Sequence, residues 1–143
     1  VKAARGTRIA IGAQNCHFAD KGAYTGEVSC AMLADLGVKY VIIGHSERRQ
    51  YFGETDGDVN KKVKAALEAG LRPIVCLGES LEIRENNAAL DHIRMQLKIA
   101  LKDITAQQLR KVVYDSFETA TVLPGDKTPW DAAYARFLEI TGL

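Results

Sequence analysis

The chain of 143 residues, 47% hydrophobic and 26% charged, has the size and composition of one compact domain able to bury its own core. Nineteen basic against eighteen acidic residues leave a formal net charge of +1, so no global excess of charge points to nucleic acid or to an anionic membrane. The longest apolar stretches, such as Val41-Ile42-Ile43 and Ile74-Val75-Cys76-Leu77, fall far short of the roughly 20 residues that span a bilayer.

The opening Val1-Lys2-Ala3-Ala4-Arg5 is basic, but the apolar run behind it is cut by Gln14 and Asn15, and no targeting signal is read there. Cys16, Cys30 and Cys76 are odd in number and form no C-x-x-C pair. That pattern favours free thiols in a reducing compartment, and the cytoplasm is the expected location.

The first β-type run is Ile9 to Ala13, followed by a helical pattern from Ser29 to Leu36 with Gly37 as its stop. Tyr40 to Gly44 reads as the second strand. Asp56 to Glu68 reads as an amphipathic helix with Val59, Val63, Ala66 and Leu67 on one face, ending at Gly70. Pro73 to Gly78 is the third strand, and about Ala88 to Leu101 a helix with Leu90, Ile93, Leu97 and Leu101 at spacings of three and four. Thr105 to Gln108 has the form of a capping box. Lys111 to Tyr114 is the fourth strand, and Thr128-Pro129-Trp130-Asp131 opens a last helix running to about Ile140.

Each β-type run is apolar enough to be buried on both faces, which argues for parallel strands. The order is β-α-β-α-β-α-β-α in a single domain over residues 1–143. Such alternation leaves a doubly wound sheet or part of an eight-stranded barrel.

Ligands in parallel α/β folds gather at the carboxyl ends of strands. Here those ends read Gln14-Asn15-Cys16, His45-Ser46-Glu47-Arg48-Arg49, Glu79-Ser80 and Asp115-Ser116-Phe117-Glu118. A His directly after a buried strand can polarise a carbonyl or shuttle protons, with a nearby carboxylate as partner or base. The competing reading is a solvated loop whose Glu and Arg form surface ion pairs. His17, His45 and His92 are widely separated and show no metal-ligand spacing, so no metal site is expected.

Several of these segments together are specific. Gly12-Ala13-Gln14-Asn15-Cys16, Gly22-Ala23-Tyr24-Thr25-Gly26-Glu27, Gly44-His45-Ser46-Glu47-Arg48-Arg49, Tyr51-Phe52-Gly53-Glu54-Thr55-Asp56 and Pro73-Ile74-Val75-Cys76-Leu77-Gly78-Glu79 resemble the triosephosphate isomerase family in order and spacing. The resemblance runs from Ile9 to about Val113 and continues less securely to the end. It implies the third to sixth βα units of that barrel: an α/β half barrel with four parallel strands alternating with helices.

The resemblance also implies the family's established chemistry, in which a Glu abstracts the proton beside a carbonyl, a neutral His polarises that carbonyl and a lid excludes water. By carry-over His45 is the electrophile, Glu118 the base, Glu47 a supporting carboxylate and Ser46 its neighbour. Phe117-Glu118-Thr119-Ala120-Thr121 stands where the family has Tyr-Glu-Pro-Val-Trp, so Glu118 falls on the family's glutamate with one residue inserted, and the hinge Pro and Trp are missing. Cys76 matches a buried family cysteine and reads as packing. No cofactor is implied.

Thr25 and Gly26 match the loop that the family inserts into a neighbouring subunit, with Asn15, Glu27 and Arg48 at the same interface. The implied partner is a second copy of the chain, and the implied ligand a triose phosphate. A full barrel takes about 250 residues, and the family's Asn-x-Lys strand and the phosphate loops after strands seven and eight have no counterpart here. Little or no isomerase activity is therefore expected from these residues alone. Unpaired edges near Ile9 to Ala13 and Lys111 to Tyr114 invite pairing, and two copies would supply eight strands. Three readings stay open: an isomerase competent only when completed, a catalytically dead half barrel serving as an oligomeric scaffold or binding module, and a different phosphosugar enzyme that reuses His45 and Glu118.

Overall fold

The computed structural model describes residues 1–110 together with 135–136. Three parallel strands form one sheet in the order β1-β2-β3: β1 Gly12–Ala13, β2 Tyr40–Ile43 and β3 Arg72–Val75. Among the described residues, helices lie between and after them: α1 Cys30–Asp35, α2 Ser46–Phe52, α3 Asp56–Glu68, α4 Leu81–Glu85 and α5 Ala89–Ala100. A 3-10 turn spans Lys2–Ala4, and 106–110 is helical behind the Thr105–Gln108 capping box, whose hydroxyl and side-chain amide contacts both form. The fourth expected strand, Glu118 and most of the last expected helix lie outside the described residues; Ala135 and Arg136 are helical and exposed.

The β-branched run Val41-Ile42-Ile43 occupies the central strand, as its stiff side chains favour. Pairing runs Gly12 to Tyr40 to Arg72 and Ala13 to Val41 to Pro73, then Ile42 to Ile74 and Ile43 to Val75. One sheet face is packed. Val41 and Ile43 sit with Val59, Val63 and Ala66 of α3, and with Cys16, Cys30, Leu33, Val38, Leu71 and Ala100, in one buried cluster.

Among the described residues the other face is not packed in this way, where strands buried on both sides were expected. Tyr40 and Ile42 are half-buried, and Ile74 is 49% exposed. At the amino end of this face Arg72 Nη1 donates to the Tyr40 hydroxyl at 3.0 Å. The first strand is also shorter than expected. Ile9 is exposed, and the Ile11 carbonyl instead accepts the Lys39 and Tyr40 amides at 2.9 and 3.4 Å. The third strand starts one residue earlier than its Pro and stops at Val75.

Gly37 and Gly70 take the left-handed backbone expected of helix stops. Helix α3 begins at a full capping box, with the Thr55 hydroxyl accepting from the Asp58 amide and the Asp58 carboxylate accepting from the Thr55 amide. Asn60 reaches across from α3 to donate to the carbonyls of Ala100 and Lys102, both at 3.0 Å, and so closes the end of α5.

On α5 the expected apolar stripe is only partly inward, with Ile93 and Leu101 half-buried. Leu90 and Leu97 are exposed, while Gln96 and Ala100 are buried. Gln96 turns inward because its side-chain oxygen accepts the Gly78 amide at 2.9 Å, satisfying a backbone donor just past β3. Among the described residues, no helix is long and apolar enough to cross a membrane.

Candidate active site

Gly44 follows β2 with φ of +76°, a left-handed conformation that turns the chain sharply out of the sheet. A Cβ placed on it would lie 3.0 Å from Val59 Cγ2, 3.1 Å from Arg49 Nη2 and 3.2 Å from the Cys76 carbonyl oxygen. Backbone and neighbours both require glycine here. Gly44→Ala should therefore lower stability by about 1–3 kcal/mol, read from the denaturant midpoint.

The turn delivers His45 to the N-cap of α2. This corrects the reading of His45 to Arg49 as a loop: Ser46, Glu47, Arg48 and Arg49 form the first turns of α2, which ends at Gly53 in the left-handed region. The His45 Nδ1 accepts the Glu47 amide at 3.3 Å, so the neutral ring is assigned its proton on Nε2. Nε2–H is then a donor with no partner among the described residues. The Glu47 carboxylate lies 3.8 Å from Nδ1, and both side chains are largely open to solvent.

Behind this turn lies a carboxylate that sequence reasoning missed. Glu54, with its side chain 3% exposed, accepts the Gly44 amide at 3.0 Å through Oε1. Its Oε2 accepts Arg48 Nε at 2.9 Å and Lys62 Nζ at 2.6 Å. Lys62, itself buried in α3, also donates to Asn15 Oδ1 at 2.8 Å.

One carboxylate thus ties together the ends of β1 and β2 and the bodies of α2 and α3. Burial alone would push the Glu54 carboxyl up. The hydrogen bonds and charge of Lys62, with Arg48 and the Gly44 amide, outweigh it and hold the group below the ordinary glutamate range.

Arg49 secures the other side of the turn. Its Nε donates to the Gly44 carbonyl at 2.9 Å and its Nη1 pairs with Asp56 at 2.5 Å. Its buried Nη2 has no hydrogen-bond partner among the described residues.

Two cavities meet at His45. One of about 280 Å³ is lined by Gln14, Asn15, Ile42, Glu47, Arg48 and Tyr51 among others. The second, of about 800 Å³, lies between the ends of β2 and β3 and includes Ser46, Arg49, Cys76, Glu79, His92 and Gln96 in its walls. Cys76 is half-buried on that wall rather than fully packed as expected. Among the described residues, no group of three or more His, Cys, Asp or Glu side chains is arranged to hold a metal ion. The geometry suits polarisation of a carbonyl by a neutral imidazole at a strand end.

The family model described as "Triosephosphate isomerase" matches residues 1–114. The chain belongs to the triosephosphate isomerase family. It is similar to the triosephosphate isomerase of Acetivibrio thermocellus, 59% identical over 113 residues that make up 79% of this chain and 45% of that one. The triosephosphate isomerase of Clostridium botulinum strain Loch Maree is 54% identical over 127 residues, covering 89% of this chain and 51% of that one. The chain spans about half the length of the curated relatives it matches. Its fold superposes on part of the crystal structure of triosephosphate isomerase from Bartonella henselae with a TM-score of 0.68 and 49% identity, covering 70% of this chain and 42% of that one.

Of the site residues expected from the family resemblance, His45, Ser46 and Glu47 are consecutive at the start of α2. Asn15 and Arg48 line the smaller His45 cavity, and both are joined to Glu54, Asn15 through Lys62. Arg48 also stacks its guanidinium over Phe52 at 4.5 Å. Thr25, Gly26 and Glu27 lie on a separate exposed loop, closed by a Glu27 amide to Tyr24 carbonyl bond of 3.0 Å. Glu118 is outside the described residues.

Proposed function

We propose that the chain carries the histidine half of a triosephosphate isomerase site, acting in the interconversion of dihydroxyacetone phosphate and glyceraldehyde 3-phosphate. His45 is the electrophile: its Nε2–H donates to the substrate carbonyl oxygen as negative charge develops there. Glu118 is the base that takes the proton from the adjacent carbon, and Glu47 and Ser46 support the His45 turn. The observation that carries this reading is the Nδ1 contact to the Glu47 amide, which leaves the ring a donor at a strand end in a chain of this family.

The three described strands, with the fourth expected over Lys111 to Tyr114, are proposed as half of the family's barrel. The cation of the Asn-x-Lys strand and the phosphate loops are absent from these 143 residues. Removing a single donor to a developing oxyanion costs roughly a hundred- to a thousandfold in rate. A coupled assay on the purified chain, beside His45→Gln and Glu118→Gln, should give no turnover above the variants' background. Turnover abolished by both changes would mean that an assembly of this chain completes its own site.

We further propose that the chain acts as a homo-oligomer in the cytoplasm, pairing through the open sheet face and through the loop bearing Thr25, Gly26 and Glu27. The half-exposed Ile74 and the exposed Tyr51 and Phe52 support this. They equally favour the second reading, a half barrel whose role is assembly rather than catalysis. Sedimentation velocity should give species larger than the monomer; a folded, monodisperse monomer would overturn the proposal.

A further inference from the structure

The loop that carries Thr25 leaves and rejoins the core through two cysteines. Cys16 follows β1, Cys30 opens α1, and residues 17–29 lie between them. The base of this loop is pinched. The His17 amide donates to the Val28 carbonyl at 2.8 Å, His17 and Ser29 form an isolated parallel bridge, and Cys30 Sγ lies 3.8 Å from the His17 carbonyl oxygen.

Both thiols belong to the same buried cluster, at 1% and 4% exposure, and they directly flank the His17–Ser29 bridge, one on each strand of the pinch. Cys30 also borders a surface cavity of about 400 Å³ walled by Phe18, Asp20 and Ala65 among others. That cavity is wide enough for a small oxidant and reaches Cys30 but not Cys16. Cys76 is remote from it, on the wall of the larger His45 cavity.

We propose that Cys16 and Cys30 form a thiol modification site that closes to a disulfide when the protein meets a hydroperoxide, tying loop 17–29 at its base. The two thiols are suited to different parts. Cys30 lines the cavity and Cys16 does not; the neighbouring Cys16 thiol holds the Cys30 thiol below its ordinary value against the opposing effect of burial, and the Lys62 charge assists. The Cys16 thiol is pushed up, first by the neighbouring Cys30 and then by burial.

Cys30 is therefore the nucleophile. Its thiolate attacks one oxygen of hydrogen peroxide; an S–O bond forms, the O–O bond breaks and hydroxide leaves, giving a sulfenic acid. The Cys16 sulfur then attacks the Cys30 sulfur; the S–S bond forms, the S–O bond breaks, and the departing hydroxide takes the Cys16 proton as water. The two sulfurs together lose two electrons, and one peroxide becomes two waters. This site does not depend on any isomerase activity.

The test is peptide mapping of the reduced wild-type chain after treatment with hydrogen peroxide, alkylation and tryptic digestion. The expected product joins peptide 9–21 to peptide 22–39, two hydrogens lighter than their sum, while peptide 65–84 carries alkylated Cys76. In Cys16→Ser, Cys30 should stop at a sulfenic acid trapped by dimedone. In Cys30→Ser, Cys16 should react at least about tenfold more slowly, because it is buried and does not line the cavity. A disulfide to Cys76, a link between chains, over-oxidised Cys30 beside a free Cys16, or an unreactive pair in peroxide excess would each overturn the proposal.

Discussion

Replacing Glu54 with leucine should cost the folded chain about 3 to 5 kcal/mol, because it leaves the buried Lys62 ammonium without its carboxylate. The Gly44 amide and Arg48 lose their acceptor in the same change. Coulomb attraction is not the whole reason. A buried ion pair often contributes little over apolar residues of the same volume, while half of one is strongly unfavourable.

The double change Glu54→Leu with Lys62→Met should therefore regain much of what the single change loses. Urea unfolding of the two single variants, the double variant and the parent at one protein concentration measures this. A double variant as unstable as the sum of the singles would contradict the pairing.

The same carboxylate fixes an acid dependence. Its folded-state value lies below the unfolded one, so at intermediate pH the unfolded chain binds more protons and stability rises with pH. The contribution is complete above the ordinary glutamate value and is lost as pH falls through the lower folded one. Asp58, held down chiefly by the Thr55 hydroxyl, acts in the same sense. Acid titration of stability should be steeper for the parent than for the double variant.

The second large effect distinguishes the two faces of the sheet. Ile43 has no exposed surface and lies two residues before His45, against Val59 and Val63 of α3. Ile43→Ala should cost about 2 to 5 kcal/mol through lost burial and the cavity left behind. Its effect should not depend on protein concentration. Ile74, on the open face, should behave otherwise: Ile74→Asp should weaken self-association while leaving the unfolding of the dissociated chain nearly unchanged. Sedimentation and denaturation of both variants across a concentration series read the two effects apart. Equal behaviour of the pair would contradict the asymmetry of the sheet.

The parts of the fold legible in the sequence are those where local pattern and tertiary need agree. Val41 to Ile43 and the helix capped by Thr55 are of this kind, since β-branching, capping and apolar spacing all point one way. Helix α2 was obscured because His45 is not a usual cap and Ser46 to Gln50 looks like a solvated loop. Its signals were present in Glu47 in the first turn, Arg49 in the last and Gly53 as the stop. Helix α4, five residues long, is too short for periodicity, although Ser80 caps it by accepting the Ile83 amide.

On α5 the apolar spacing located the inner face only in part, since Ile93 and Leu101 are half-buried but Leu90 and Leu97 are exposed. Gln96 is drawn inward by a backbone amide 18 positions away, a demand no local window contains. The Glu54 cluster was hidden for the same reason. Lys62 and Asn15 are 47 positions apart, and charged residues are by default expected outside. His45 itself was legible because it stands directly after a strand, where the fold gathers chemistry.

The most direct test of the central claim, that this chain carries a working His45 turn of the family, replaces the matching segment of a full-length relative with residues 9–110 of this chain. The coupled assay for triose phosphate interconversion is then run on the chimera and on its His45→Gln variant. The account predicts turnover by the folded chimera and a fall in kcat of about a hundredfold or more in the variant. A folded chimera without turnover, or one indifferent to the loss of His45, would contradict it.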